Sequence, residues 1–185
     1  MKKDKFFSDY LDELINVLER KKNSSAFAQS IKMLLNIKKN KKKIMIFGNG
    51  GSASIASHFS SDLTNISKIK CVNFNEANLI TCFANDFGFE NWIKRTVEHY
   101  YEKGDLLILI SSSGESLNMI KAANFAVKNK LDLITLSGFS KTNSLKKKGK
   151  VNFWVNSKKY NIIENTHQII LLSLVDYFLL KMLNE

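Results

Sequence analysis

An apolar run, Lys43-Ile44-Met45-Ile46-Phe47, leads directly into Gly48-Asn49-Gly50-Gly51-Ser52, and a helical pattern follows from about residue 52 to 63. A buried strand, a glycine turn and a helix in immediate succession form half of a βαβ unit, which needs parallel neighbours to be stable. The pattern repeats. Strand-like runs at 69–74, 105–110, 131–136 and 151–155 alternate with helix-like runs at about 90–103, 116–129, 141–148 and 163–183. Short apolar strands separated by helices imply a parallel sheet covered on both faces. The expected fold is therefore α/β: a three-layer, doubly wound, five-stranded parallel sheet of flavodoxin-like type.

Two helices precede the first strand. Phe7, Tyr10, Leu11, Leu14, Ile15 and Leu18 form one apolar stripe, Asn23-Ser24-Ser25 breaks it, and Ile31, Leu34, Leu35 and Ile37 form a second. No repeat, low-complexity tract or linker divides the chain. The expectation is one domain over 1–185, with a helical arm at 1–40 and an α/β core at 41–185. The sheet has helices enough without the arm, so both arm helices are expected to leave it and pack against other copies.

The chain has 185 residues, 44% hydrophobic and 24% charged, which excludes a disordered or fibrous protein. The apolar stretch at 169–180 is interrupted by Ser173 and Asp176 and falls short of a membrane span. No apolar leader follows the N-terminal lysines, so the expected location is the cytoplasm. Two cysteines, Cys71 and Cys82, make neither a disulfide framework nor a zinc finger and read as small core residues. The net charge is +11, but all 28 basic residues except Arg20 and Arg95 are lysines, scattered in short clusters. Nucleic-acid grooves favour arginine and interleaved aromatics, so a solvated lysine surface is expected and a nucleic-acid partner is not.

Two segments carry the chemistry of anion binding. Gly48-Asn49-Gly50-Gly51-Ser52 places free backbone N–H groups at a helix N-terminus, where an anion is favoured. Gly48-x-Gly50-x-x-Ala53 also fits a dinucleotide fingerprint, but the acid that should follow, Glu76, arrives late, so no nucleotide cofactor is expected. Ser111-Ser112-Ser113-Gly114-Glu115-Ser116 occupies the corresponding place after the third strand. Capping would explain one serine; four within six residues offer a phosphate hydroxyl and backbone donors without a lysine.

Three further groups are candidates. His58 and Asp62, at i and i+4 on one helix face, can act as base and orienter or share a metal; a solvent-facing polar pair is the plainer reading. Ala84-Asn85-Asp86-Phe87-Gly88-Phe89-Glu90 reads as a polar turn flanked by aromatics. Glu164-Asn165-Thr166-His167 opens the last helix, where an acid is favoured by the dipole alone. His99, beside two tyrosines, reads as a surface or interface residue.

Taken together, the segments resemble the sugar isomerase (SIS) domain family in its phosphoheptose isomerase branch. The resemblance rests on Gly-Asn-Gly-Gly-Ser-Ala at 48–53, His58 with Asp62, the 84–90 loop, and Ile110-Ser111-Ser112-Ser113-Gly114-Glu115-Ser116, in that order. It implies conversion of sedoheptulose 7-phosphate to a heptose 7-phosphate for surface-glycan precursors. It implies that Ser52, Ser111, Ser112, Ser113 and Ser116 hold the phosphate, and that Asn49, Gly50, Gly51, Asn85 and Asp86 line the sugar. Asp62 becomes the base, with His58 and Glu164 as its catalytic companions. The same three residues are the implied ligands of a zinc ion, and the implied assembly is a homotetramer with sites completed between subunits.

The last helix departs from the family pattern of a Gln, a His three later and a second His five beyond. This chain has Glu164, His167 and Leu172 there, and leucine neither ligates a metal nor moves a proton. Asp62 also stands where the branch has a glutamate, and its reach is shorter by one C–C bond, ~1.5 Å. The alternative function is a non-catalytic SIS module that senses a sugar phosphate or assists the replication initiator.

Overall fold

The computed structural model describes residues 3–22 and 24–183. Asn23, expected at the break between the arm helices, lies outside the described residues, as do Met1 and Lys2 of the N-terminal segment read for a leader. The strands are β1 (Ile44–Gly48), β2 (Cys71–Asn73), β3 (Leu106–Ser111), β4 (Asp132–Ser137) and β5 (Val151–Trp154). They form one parallel sheet in the order β2-β1-β3-β4-β5, as expected. Register pairs Gly48 with Ile110, so the glycine turn after β1 and the serine turn after β3 leave the sheet side by side. The strand order reverses there, and the crevice at such a point is where open α/β sheets bind ligands.

Every residue of β1 and β3 is buried, and alternate side chains enter different cores. Ile44, Ile46, Ile108 and Ile110 join one core with residues of α2 (Ser25–Lys39), α3 (Gly51–Asn65) and α7 (Tyr160–Leu183). Met45, Phe47, Leu107 and Leu109 join the other with α5 (Trp92–Tyr100) and α6 (Leu117–Lys128).

The arm departs from expectation. The second helix, α2, does not leave the sheet: Leu34 and Ile37 are buried in the first core. The helix packs against β5 and α7, where Leu34 and Ile37 share a core with Val151, Phe153 and Leu174. The first helix, α1 (Lys3–Glu19), is attached by one side only. Val17 packs with Val155, Ile162 and Ile163, while Phe6, Phe7, Leu11 and Ile15 are exposed.

Three further local corrections follow. Residues 77–87 form a helix, α4 (Ala77–Phe87), with no fully buried residue, so Asn85 and Asp86 sit on its last turn rather than in a loop. Residues 141–148 form turns instead of a helix, because buried Asn143 and Leu145 tie that segment to its neighbours. Cys82 is exposed on α4, whereas Cys71 is buried as expected and its thiol pKa is pushed up by that burial. His99 is exposed.

The last helix is longer than its apolar stretch suggested. α7 has 24 residues and is long and apolar enough, by length and composition, to cross a bilayer. Nine of its residues, from Ile162 to Phe178, are nevertheless buried against the rest of the fold.

Candidate functional site

A cavity of about 110 Å³ lies in the crevice between β1 and β3, lined by Asn49, Ser52, Ile110, Ser111, Ser112, Ser113, Ser116, Tyr160 and Glu164. The helices α3, α6 and α7 all begin at its edge, so three positive dipole ends converge there. Among the described residues no lysine or arginine lines it.

The glycine turn shapes one wall. Gly50 has φ 53°, a left-handed conformation that glycine adopts without steric cost. Gly51 starts α3, and a Cβ there would run into the Glu164 carboxylate, so the lack of a side chain lets α7 approach. Asn49 is fixed by an exchange of two hydrogen bonds with Asn118, which is buried in the first turn of α6.

The serine turn forms the floor. Ser116 is the N-cap residue of α6, yet its side chain makes no capping hydrogen bond; its Oγ lies 3.1 Å from Ser111 Oγ. The capping explanation therefore fails at the residue where it should be strongest. The Gly114 N–H donates to Ser111 Oγ at 3.2 Å, and Ser112 Oγ donates to Glu164 Oε1 at 3.3 Å. The turn is braced from outside, where Glu115 accepts from the Ser144 N–H at 2.8 Å and Gly114 accepts from the Leu145 N–H at 3.0 Å.

Other expected site residues lie elsewhere. His58 Nε2 and Asp62 Oδ2 are 3.1 Å apart on α3, both partly exposed. Asn85 and Asp86 are exposed on α4, and neither lines the cavity. Glu90, at the end of the same segment, accepts from Lys121 Nζ at 3.4 Å; its own backbone N–H and then that lysine hold its carboxyl below the usual range.

The three-residue metal set is not assembled in one chain: among the described residues no three His, Cys, Asp or Glu side chains are grouped to hold an ion. Glu164 leans over Gly51, and His58 is seven residues further down α3, ~10 Å along its axis. Two donors do not fit a zinc centre, which takes three or four protein ligands.

The last helix explains two sequence oddities. His167 is fully buried and its Nε2 donates to the Ser137 carbonyl at 3.3 Å, leaving Nδ1 buried without a partner among the described residues. Desolvation first, opposed by that hydrogen bond and helped by Lys21, pushes its pKa down to about 4. It is a core residue and not a ligand. Leu172 lies in a separate groove with Leu14, Gln168 and Asp176, between α1 and α7.

Three residues were not anticipated from sequence. Asn118 carried a weak signal as a polar residue in the first turn after the serine loop. Asn143, which donates to Ser137 Oγ at 3.1 Å and crowds Gly114, and Tyr160 carried none.

Comparison with known proteins gives the family and the fold. The SIS domain family matches residues 9–138. The phosphoheptose isomerase of Buchnera aphidicola is 35% identical over 130 residues, 68% of this chain and 67% of that one. That of Fusobacterium nucleatum is 33% identical over 168 residues, covering 88% of this chain and 84% of its own. The solved phosphoheptose isomerase of Francisella tularensis superposes with a TM-score of 0.88 at 26% identity, covering 96% of this chain and 98% of that one. The chain belongs to the SIS domain family, in its phosphoheptose isomerase branch.

Proposed function

We propose that this protein is a phosphoheptose isomerase, converting sedoheptulose 7-phosphate to a heptose 7-phosphate that feeds surface-glycan precursors. The observation that carries the reading is the serine-lined cavity at the β1/β3 crevice, with three helix N-termini around it. It suits a phosphate monoester, and the identity to named phosphoheptose isomerases supplies the sugar.

In this reading Ser52, Ser111, Ser112, Ser113 and Ser116 hold the phosphate, while Asn49, Gly50 and Gly51 line the sugar. His58 stands six residues beyond Ser52, ~9 Å along α3. A seven-carbon chain with its phosphate spans roughly that length, which brings C1 and C2 toward His58 and Asp62. Asp62 takes the proton from C1 to give the enediol and returns it to C2, and His58 carries protons at the two oxygens. Glu164 orients the sugar end nearest the phosphate through the contact it makes with Ser112. Asn85 and Asp86 complete the pocket from a neighbouring copy.

The proposed assembly is a homotetramer of single SIS domains, each with residues 1–40 as its helical arm. The exposed stripe of Phe7, Leu11 and Ile15 supports it. A zinc ion has only His58 and Asp62 in one chain, fewer ligands than a zinc centre takes. The proposed location is the cytoplasm, where the phosphorylated substrate is made.

A coupled assay with sedoheptulose 7-phosphate, run with added zinc and with chelator, tests the function. Turnover abolished by Asp62→Asn supports it. Tight sugar-phosphate binding without turnover in either condition returns the protein to the non-catalytic sensor class.

A further inference from the structure

Tyr160 opens α7 and lines the serine cavity one helical turn before Glu164. It is 58% exposed, and its hydroxyl has no hydrogen-bond partner among the described residues. Its ring is nevertheless held in place. The Phe139 ring lies against it, with centroids 4.9 Å apart and planes tilted by 58°.

Phe139 is unusual in its own backbone. Its φ is 52°, a left-handed conformation that is a genuine outlier for a bulky residue and persists where its surroundings enforce it. Those surroundings belong to the site. The Phe139 N–H donates to the Ser157 carbonyl at 3.0 Å, and the Gly138 N–H donates to the Ser112 carbonyl at 2.8 Å. One strained turn therefore joins the serine loop, the end of β4 and the segment leading into α7, and places the Phe139 ring against Tyr160.

An aromatic face and a free hydroxyl at the mouth of a cavity floored by serines suit one kind of occupant. That occupant is a phosphate ester whose carbon chain leaves through the mouth. The serines take the phosphoryl oxygens, the phenol O–H donates to the ester oxygen, and the ring covers the C–H face of the adjoining carbons.

We propose that Tyr160, braced by Phe139, positions the ester end of the sugar phosphate and sets the preference of the site for a phosphorylated sugar over free phosphate. This rests on the phosphoheptose isomerase reading. The test uses the full chain with Tyr160→Phe, Tyr160→Ala and Phe139→Ala, checked for folding by circular dichroism. Kinetics with sedoheptulose 7-phosphate are joined to calorimetric titration of that sugar phosphate and of inorganic phosphate. Tyr160→Phe should raise KM about tenfold, the loss of one hydrogen bond to a charged ester, with kcat unchanged. Tyr160→Ala should raise it further by removing the ring from the carbons, and Phe139→Ala should move it the same way; inorganic phosphate, whose fourth oxygen accepts the same O–H, should lose affinity with the hydroxyl in Tyr160→Phe and no further in Tyr160→Ala. An unaltered KM in Tyr160→Ala, or an equal loss for both ligands in that variant, overturns the proposal. If the wild type binds the sugar phosphate without turnover, the isomerase reading fails by itself. The ratio of the two calorimetric affinities then still decides the role of Tyr160: a fall in Tyr160→Ala and Phe139→Ala supports it and an unchanged ratio in both refutes it.

Discussion

Asn49 and Asn118 bond to each other twice: Asn49 Nδ2 donates to Asn118 Oδ1 at 3.1 Å, and Asn118 Nδ2 donates to Asn49 Oδ1 at 2.9 Å. The residues are 69 apart in sequence, and their exchange locks the glycine turn after β1 to the helix that follows the serine turn. The two walls of the cavity thus keep their spacing without a ligand. Asn118 Oδ1 also accepts from the Met119 N–H at 3.0 Å, so that oxygen has both of its lone pairs in use.

Asn118→Ala is expected to destabilise the protein by about 1–3 kcal/mol, because it leaves the Asn49 amide short of two partners. Urea unfolding measures that loss. The same variant should weaken sugar-phosphate affinity although Asn118 does not line the cavity.

Ser111→Ala with Ser116→Ala removes the two hydroxyls that lie 3.1 Å apart on the cavity floor. Each is expected to cost about 1.5–3 kcal/mol of binding as a donor to a charged phosphate. Titration with inorganic phosphate and with the sugar phosphate should show the loss for both. Unchanged affinity in the double variant would remove the phosphate assignment.

The contact between Gly51 and Glu164 gives a double-mutant test. Alanine stabilises a helix relative to glycine by roughly 1 kcal/mol, but at Gly51 its Cβ meets the Glu164 carboxylate. Gly51→Ala should therefore be neutral or destabilising in the wild type and stabilising when combined with Glu164→Ala. Thermal melts of the four proteins provide the comparison.

His167 sets an acid limit on stability. Its folded pKa of about 4 lies below the ordinary 6.5, so the unfolded chain takes up the proton first as pH falls. The stabilisation is complete above pH 6.5 and is lost progressively down to about pH 4, by roughly 3 kcal/mol in all. Replacing it by His167→Gln should flatten the pH dependence of urea unfolding within that window. A wild-type slope retained by the variant would assign the acid sensitivity elsewhere.

The parallel sheet was legible from sequence because β1 and β3 are buried on both faces and so read as uninterrupted apolar runs next to glycine and serine turns. The serine turn stood out in the sequence because capping needs one hydroxyl and this turn has four in six positions. α4 was not legible: its apolar side is only partly buried, so Asn85, Asp86 and Gly88 outweighed the helical spacing. Residues 141–148 misled in the opposite direction, since a lysine-rich segment with one periodic leucine suits a helix until Asn143 ties it to Ser137.

What the sequence alone determined was local chemistry: which segments are strands, where the backbone turns on glycine, and which turn is rich in hydroxyls. These follow from residues adjacent in the chain. The meeting of Glu164 with Gly51, the burial of His167, the separation of His58 and Asp62 from Glu164, and the bracing of Tyr160 by Phe139 were decided by tertiary structure alone. Each joins or separates residues by how α3, α7 and the end of β4 dock on the sheet, and the spacing of side chains within one helix carries no record of which neighbour will lie across it.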